Sequence, residues 1–160
     1  MICSGYGFAD SLSASASGRP ILIVDNSLSS EQLTYLKSIN SRKYTIIGGY
    51  ISVSRTVEGT LKGMGTTARV FGEDRYRTST EIAKFFFKKP NSVVIGYGDN
   101  FPDGLCGGVL AEKLGAPLLL INGNNTESAS EYVKSNSIKE QIVLGGKTFI
   151  PDSALNAIIR

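Results

Sequence analysis

Two aspartates stand at matching positions of the sequence, each shortly after a Gly-Tyr-Gly turn. Asp10 lies in Phe8-Ala9-Asp10-Ser11-Leu12, and Asp103 lies in Phe101-Pro102-Asp103-Gly104-Leu105. Each turn follows a short apolar run and leads into a helical pattern, which predicts a carboxylate near a helix start. Such a carboxylate acts as a metal ligand, as an acid, or as a cap for the exposed amides of the first turn. We favour capping, and a carboxylate there also fills the place where a phosphate would dock.

The glycine turns invite comparison with dinucleotide-binding loops. Residues 96–101 read GxGxxF, so the position that must be small for helix–strand packing is Phe101. The first copy, residues 5–8, diverges further, and both turns are therefore predicted to be structural. An enzymatic alternative is a small α/β hydrolase or phosphate-dependent domain that uses Asp103 and a metal. Asp99 is the only close second carboxylate in sequence.

Composition excludes several classes of site. The 160 residues include no His, which excludes a Ser-His-Asp triad or a His-based zinc site within this sequence. The net charge of +3 is spread thinly, so no nucleic-acid footprint is present. We find no nucleophile–base pair, and we predict no metal site, no cofactor and no enzymatic activity.

Cysteines and termini give further expectations. Cys3 and Cys106 lack a CxxC spacing, and Cys106 falls in an apolar helical pattern, which favours buried, unreactive thiols. The sequence contains no transmembrane run and no signal peptide. Because Met1 falls directly in a strand-end motif, we interpret the chain as a fragment of a longer protein or as a gene model that starts late.

The sequence contains an internal repeat. The stretch at Phe8 recurs at Phe101, an offset of 93 residues, whereas the later matches have an offset of 97. The offset changes once, by four residues, inside the first helix, which is about one helical turn. We predict two tandem modules: residues 1–67 are the later part of a first repeat, and residues 68–160 are a second, essentially complete repeat.

Strand and helix patterns alternate along both copies with short connections. This predicts an α/β fold of repeated strand–helix units with a largely parallel sheet. In the first copy we expect helices at 9–17, about 30–39 and 55–62, and strands at 20–24, 44–47 and 51–53. In the second copy we expect residues 69–78 to form a short strand, a turn and a helix start, with a capping box at Thr78-x-x-Glu81. We expect further strands at 92–96, 117–121 and 141–144, and helices at 103–114, about 128–135 and 152–159.

Glycine pairs follow matching strands of the two copies. Gly48-Gly49 and Gly145-Gly146 end strands, and a parallel sheet brings them to the same carboxyl edge as the Gly-Tyr-Gly turns. Ligands of open α/β sheets bind along that edge. Residues 122–125, which are rich in Asn, are expected at the same edge.

Four motifs in order give the chain a family resemblance. They are Arg69-x-x-Gly72-x-Asp74-Arg75-Tyr76-x-Thr78, then residues 100–105, then residues 114–120, then residues 143–146. The first copy carries the last three as residues 8–12, 20–23 and 46–49. Together they resemble the cell wall binding repeat 2 family of Gram-positive bacteria, typified by clostridial surface proteins.

The resemblance implies a function. Such repeats usually occur three in tandem, fused to a variable functional domain, and they pack on each other as α/β units in a three-fold arrangement. They attach secreted surface proteins non-covalently to anionic wall polymers. This implies an extracellular, wall-associated protein whose partners are a teichoic-acid-like polymer or acidic glycan and neighbouring repeats of the same kind. A purely structural packing repeat is the other non-enzymatic alternative.

Three groups of candidate residues follow. Candidates for polymer-binding or intermodule contacts are Arg69, Asp74, Arg75, Arg77 and Lys147. The family's proline-aliphatic anchoring motif, which we expect to act structurally as core strands, comprises Pro20, Ile21, Leu22, Ile23, Pro117, Leu118, Leu119 and Leu120. The turn and cap residues are Asp10, Asp103, Gly48, Gly49, Gly145 and Gly146.

Overall fold

The computed structural model of the chain describes residues 1–39 and 42–159, and strands alternate with helices throughout these ranges. The strands are Ile2–Ser4 (β1), Leu22–Val24 (β2), Lys43–Ile47 (β3), Thr66–Val70 (β4), Ser92–Tyr97 (β5), Leu118–Ile121 (β6) and Glu140–Leu144 (β7). The helices are Ala9–Ser15 (α1), Ser30–Ser38 (α2), Arg55–Met64 (α3), Arg75–Phe86 (α4), Pro102–Leu114 (α5), Glu127–Ser135 (α6) and Asp152–Ile159 (α7).

The strands form two sheets, and every strand pair in them is parallel. The first sheet has the order β2-β1-β3-β4 and the second the order β6-β5-β7. In both sheets the strand that precedes the Gly-Tyr-Gly turn lies between the proline-motif strand and the strand that precedes the Gly-Gly pair. The predicted fold class, repeated strand–helix units with parallel sheets, is confirmed.

Strand β4 completes the first sheet, although most of its residues belong to the second repeat in sequence. It pairs with β3 over its whole length, and Arg69 lies opposite Ile46. The proposed repeat boundary between residues 67 and 68 therefore falls inside a strand. As a result, residues 71–75 lie at the carboxyl edge of the first sheet.

Two of the hydrophobic clusters combine buried residues of both repeats. Leu12 and other buried residues of α1 pack in a cluster with Tyr76, Val94 and Leu118 of the second repeat. Helix α1 also lies close against α5, because Gly104 and Gly108 leave room there: a Cβ on Gly104 would stand 3.0 Å from Leu12 Cδ1. Packing of this kind fixes α1 on the second repeat.

Most local patterns predict the observed elements. The two exceptions are a strand predicted in the first copy and the predicted start of α4. The capping box at Ser29 and Gln32 is present, and Gly115 ends α5 in the left-handed conformation with φ +62°. The predicted strand at 51–53 is wrong: the amides of Ser52 and Val53 donate to the Gly49 carbonyl and close a turn. Helix α4 begins before Thr78, so the capping box predicted there is also wrong.

The two cysteines lie in different environments. Cys3 is buried in β1, and burial raises the pKa of its thiol to about 12. Cys106 is exposed on α5, so the prediction that it is buried is wrong. The residues around Cys106 do form an apolar helix face, but this face of α5 is exposed: Leu105 and Val109 are exposed as well.

Candidate functional site

Arg69 holds the Gly-Gly turn of the first repeat in place. Its guanidinium donates to the carbonyls of Gly48, Gly49 and Val53 at 2.8, 3.2 and 3.0 Å. It also forms an ion pair with Glu58 of α3 at 3.0 Å, and the two side chains are only 6% and 12% exposed. Hydrogen bonds from Lys62 and Arg69 lower the pKa of Glu58. The guanidinium of Arg69 is therefore engaged by contacts within the chain and is not free to bind a ligand.

An aromatic cluster lies beside this arginine. The Tyr50 ring has the Arg55 guanidinium carbon 4.0 Å from its centroid and that of Arg69 at 4.4 Å. Phe71 meets the same ring edge-on at 6.1 Å. Cation–π contacts of this geometry are attractive and restrict the ring. Arg55 is not among the candidates that the sequence motifs predict, because only the fold brings its guanidinium to Tyr50.

The start of α4 explains three residues of the Arg-x-x-Gly-x-Asp-Arg-Tyr motif. Asp74 is the N-cap, and its carboxylate accepts from the Arg77 amide at 2.8 Å. The Gly72 amide donates to the Thr78 hydroxyl at 3.0 Å, and a Cβ on Gly72 would stand 2.5 Å from Arg77 Cβ. Only glycine permits this close approach of the loop to the first turn of α4.

Arg75 bridges the two repeats. Its guanidinium donates to the Gly98 carbonyl in the second Gly-Tyr-Gly turn at 2.8 Å, and it stands 5.5 Å from the Phe8 ring of the first repeat. Burial raises the pKa of Asp10, and the positive charge of Arg75 opposes that rise. The geometry makes Arg75 an intermodule residue, with both repeats in contact with one side chain.

A polar cluster follows at the carboxyl ends of β5 and β6. The Tyr76 hydroxyl donates to the Asp99 carboxylate, and the Asn122 amide donates to both, at 2.7 Å to Tyr76 and 2.8 Å to Asp99. These hydrogen bonds, from Tyr76 first and then Asn122, lower the pKa of Asp99. Burial and the Asp99 carboxylate raise the pKa of Tyr76. The Asn-rich stretch therefore helps to tie α4 to the edge of the second sheet.

The paired aspartates face the glycine turns. Phe8 and Phe101 occupy the N-cap positions of α1 and α5, so the predicted side-chain caps at Asp10 and Asp103 are not formed. A Cβ on Gly48 would stand 2.7 Å from Asp10, and one on Gly145 would stand 2.8 Å from Asp103. Both glycines have positive φ, 109° and 118°. Each aspartate therefore packs on the turn of its own repeat.

The two copies of the proline-aliphatic motif differ in burial. Pro117 and β6 are buried under α4 and α5, and the Leu120 amide donates to Ser79 of α4 at 3.0 Å. In the first copy Pro20 and Ile23 are exposed, which contradicts the expectation of a core strand there. The reason is that residues 1–39 contain no helix equivalent to α4 that covers β2.

The remaining candidate cations are more accessible. Arg77 forms a long contact with Glu127, 3.7 Å, and its side chain is 43% exposed. Lys147 pairs with Asp152 at 2.8 Å, which raises the pKa of Lys147, and both side chains are exposed. Exposed pairs of this kind are weak and leave the cations available.

A cleft of about 760 Å³ opens at the carboxyl edge of the first sheet. We call it the aromatic cleft. Its lining combines aromatic rings with acidic groups and one arginine: Tyr6, Phe8, Tyr50, Phe71, Asp10, Glu73, Asp74 and Arg75. Among the described residues, no three His, Cys, Asp or Glu side chains converge to hold a metal ion.

The sequence matches the family described as "Cell wall binding domain 2 (CWB2)" over residues 2–58 and 69–155. The chain belongs to this family. The match covers both repeats, and the two matched ranges leave out α3 from residue 59 and the first residues of β4. Membership supports cell wall binding as the role of a repeat-built surface protein and indicates a binding module.

Curated relatives carry similar sequence within longer proteins. The chain is 25% identical over 164 residues to the N-acetylmuramoyl-L-alanine amidase LytC of Bacillus subtilis (strain 168). It is 29% identical over 138 residues to the amidase enhancer of the same organism. These matches cover 99% and 83% of this chain but 32% and 19% of the relatives, so the chain spans about a third of their length or less.

Solved structures share the fold. Cwp8 from Clostridium difficile superposes with a TM-score of 0.84 at 27% identity, over 98% of this chain and 28% of that one. Cwp6 from the same organism gives a TM-score of 0.87 at 24% identity, over 98% of this chain and 26% of that one. Family and neighbours together point to a wall or surface location. No helix in the described ranges combines the length and apolarity needed to cross a membrane.

Proposed function

We propose that this chain anchors a secreted protein non-covalently to the bacterial cell wall by binding an anionic wall polymer, teichoic-acid-like or an acidic glycan. The observation that carries the proposal is the family match over both repeats. The role assigned to the chain is binding without catalysis. The activity of any domain fused to it is a separate property.

The exposed cations support an electrostatic contribution. Arg55 follows β3, Arg77 follows β4 and Lys147 follows β7, so all three lie toward the carboxyl edges of parallel strands. Arg69 is buried in its ion pair and Arg75 donates to the Gly98 carbonyl, so we assign the charged contacts with a polymer to Arg55, Arg77 and Lys147. Several weak contacts along one chain add through avidity, and exposed charges are screened by salt.

Co-sedimentation tests the proposal. Purified chain is mixed with Gram-positive walls before and after chemical removal of their anionic polymers, at two salt concentrations. Binding that requires the polymer and falls with salt supports the proposal. The triple variant Arg55→Gln, Arg77→Gln, Lys147→Gln should sediment less than wild type, whereas Lys37→Gln, an exposed charge at the last turn of α2, should not. Equal binding to stripped walls would contradict the anionic ligand.

We further propose that a neighbouring repeat packs on the outer face of α5. In the first repeat, Leu12 of α1 packs in a cluster with buried residues of the second repeat, and Ser13 is buried beside it. The offset of 93 makes Leu105 and Cys106 of α5 their counterparts. Leu105 is 61% exposed and Val109, one turn later, is 65% exposed. Helix α5 therefore presents to solvent the kind of face that α1 buries.

The geometry of α1 on α5 indicates how that contact would form. Leu12 lies over Gly104, and Ser15 approaches Gly108 so closely that a Cβ there would overlap its hydroxyl. A further repeat would offer its own small-residue groove to Leu105 and Val109 in the same head-to-tail manner. Apolar faces of this kind mark interaction surfaces.

Thiol labelling tests this contact, because Cys106 lies on the proposed face and Cys3 is buried. A longer chain carrying a third repeat should label at Cys106 more slowly with maleimide than the present chain. Leu105→Asp should restore fast labelling in the longer chain, whereas Tyr35→Asp, on the exposed side of α2, should not. Equal labelling rates in both chains would refute the contact.

A further inference from the structure

Exposed apolar side chains converge on one place in the first repeat. Tyr6, Tyr50, Ile51 and Phe71 are all large, exposed hydrophobic residues, and all four line the aromatic cleft. Tyr6 is 74% exposed. The volume of the aromatic cleft, about 760 Å³, falls within the range typical of small-molecule sites. The cleft lies at the carboxyl ends of β1, β3 and β4, where open α/β sheets bind ligands.

Part of this lining is rigid before any ligand arrives. The Tyr50 ring is held by the guanidinium groups of Arg55 and Arg69 and by the edge contact with Phe71. Phe71 also lies against Gly49, where a Cβ would stand 3.4 Å from its ring. Pre-organised rings lose little conformational freedom on binding. Tyr6 follows the neighbouring strand β1 at the same sheet edge, so the cleft combines a fixed aromatic wall with a more accessible ring.

The charges of the cleft oppose an anion inside it. Asp10, Glu73 and Asp74 line it against the single cation Arg75. Arg75 already donates to the Gly98 carbonyl, and Asp74 accepts from an α4 amide. In the described part of the chain, Glu73 forms no ion pair. A phosphate placed there would meet like charge at close range.

We propose that the aromatic cleft binds an uncharged sugar ring of the wall polymer, while the anionic groups of that polymer stay outside it. The C–H face of a pyranose packs on an aromatic ring, as it would on Tyr6, and its hydroxyls donate to carboxylates such as Glu73. Arg55, exposed beside Tyr50 at the rim of the cleft, is a cation available to an adjacent phosphate or carboxylate. This inference rests on the proposed wall-binding function and divides recognition between a sugar subsite and a charged rim.

The test is a solution NMR titration of the chain with methyl glucoside, methyl mannoside and N-acetylglucosamine, and separately with inorganic phosphate. We expect the amides around Tyr6, Tyr50 and Phe71 to shift with a sugar and not with phosphate. Tyr6→Ala should weaken sugar binding by about tenfold, whereas Tyr35→Ala should leave it unchanged. Both tyrosines are exposed, so neither change threatens the fold.

A variant of Glu73 gives a second, independent test of the sugar subsite. Glu73→Gln should weaken sugar binding, because an amide is a poorer acceptor than a carboxylate. The same change should strengthen binding of an anion by removing like charge. Shifts of the cleft amides with phosphate alone, or no shift with any of the sugars up to ~100 mM, where millimolar affinities saturate, would overturn the inference.

Wall sedimentation separates this failure from failure of the proposed function. If wild-type chain sediments with walls while the sugars leave the cleft amides unshifted, the sugar subsite is wrong and anchoring stands. If wild-type chain does not sediment with intact walls at either salt concentration, the proposed function is wrong whatever the titration shows. If the chain sediments with walls and the sugars shift the cleft amides, Tyr6→Ala should lower sedimentation and Tyr35→Ala should not.

Discussion

Replacing Arg69 by methionine should destabilise the first repeat more than any exposed charge change. The variant leaves Glu58, which is only 12% exposed, without the partner that is 3.0 Å away in the wild type. It also removes the donor to the carbonyls of Gly48, Gly49 and Val53. Methionine keeps most of the buried aliphatic volume, so the loss is chiefly electrostatic.

The magnitude follows from these contacts. Breaking a buried ion pair by removing one partner costs about 3–5 kcal/mol when the other charge stays buried and unpaired. Lys62 still reaches Glu58 at 2.9 Å and offsets part of that cost. Each hydrogen bond from a charged donor is worth about 1.5–3 kcal/mol, but such contributions are not additive within one network. We expect a loss of about 4 kcal/mol in the free energy of unfolding, which for a chain of this size lowers Tm by about 8–16 °C.

Urea denaturation followed by far-UV circular dichroism measures the change. Arg77→Met is the matched control, since the exposed contact of Arg77 with Glu127 is worth at most about 1 kcal/mol. Adding Glu58→Leu to Arg69→Met should recover part of the loss, because the single variant keeps a largely buried carboxylate whose remaining partner is the exposed Lys62. A loss no larger than that of Arg77→Met would refute the role given to Arg69.

Three further predictions address single residues. Asp74→Ala removes the N-cap of α4 and should cost about 1 kcal/mol in urea denaturation; an unchanged midpoint would show that the cap is not stabilising. Gly145→Ala should lower Tm, because φ is +118° and the new Cβ would stand 2.8 Å from Asp103; a Tm at or above wild type would contradict this. The lowered pKa values of Glu58 and Asp99 mean that stability is present above their ordinary pKa values, 4.5 and 3.8, and is lost as pH falls through the lowered values. Thermal scans from pH 6 to about pH 2 should show this loss, and Glu58→Gln should reduce it.

Local sequence patterns predict the elements but not their neighbours. Continuous apolar runs identify strands such as β5 and β6, and Gly115 marks the end of α5 through its left-handed conformation. The apolar pattern around Cys106 correctly indicates an apolar helix face. It does not reveal that the described chain leaves that face open, because periodicity reports the type of a surface and not its partner.

The candidate site depends on contacts that sequence spacing cannot supply. Arg69 is buried because β4 pairs with β3 and places the guanidinium over the Gly48 turn. The Arg-x-x-Gly-x-Asp-Arg-Tyr motif alone does not distinguish a buried Arg69 from one on the surface. Arg55 is five residues from Tyr50 in sequence, yet only the turn at Gly49 brings its guanidinium over that ring.

The position of β4 separates the unit that is duplicated from the unit that folds. A gene duplication with its breakpoint near residue 68 copies a sequence repeat whose first strand completes the sheet of the preceding copy. During synthesis, the first sheet therefore lacks its β4 edge until residue 70 has left the ribosome. A protease cut at the sequence boundary would divide that strand, whereas a cut between α4 and β5 would leave the strands of both sheets whole.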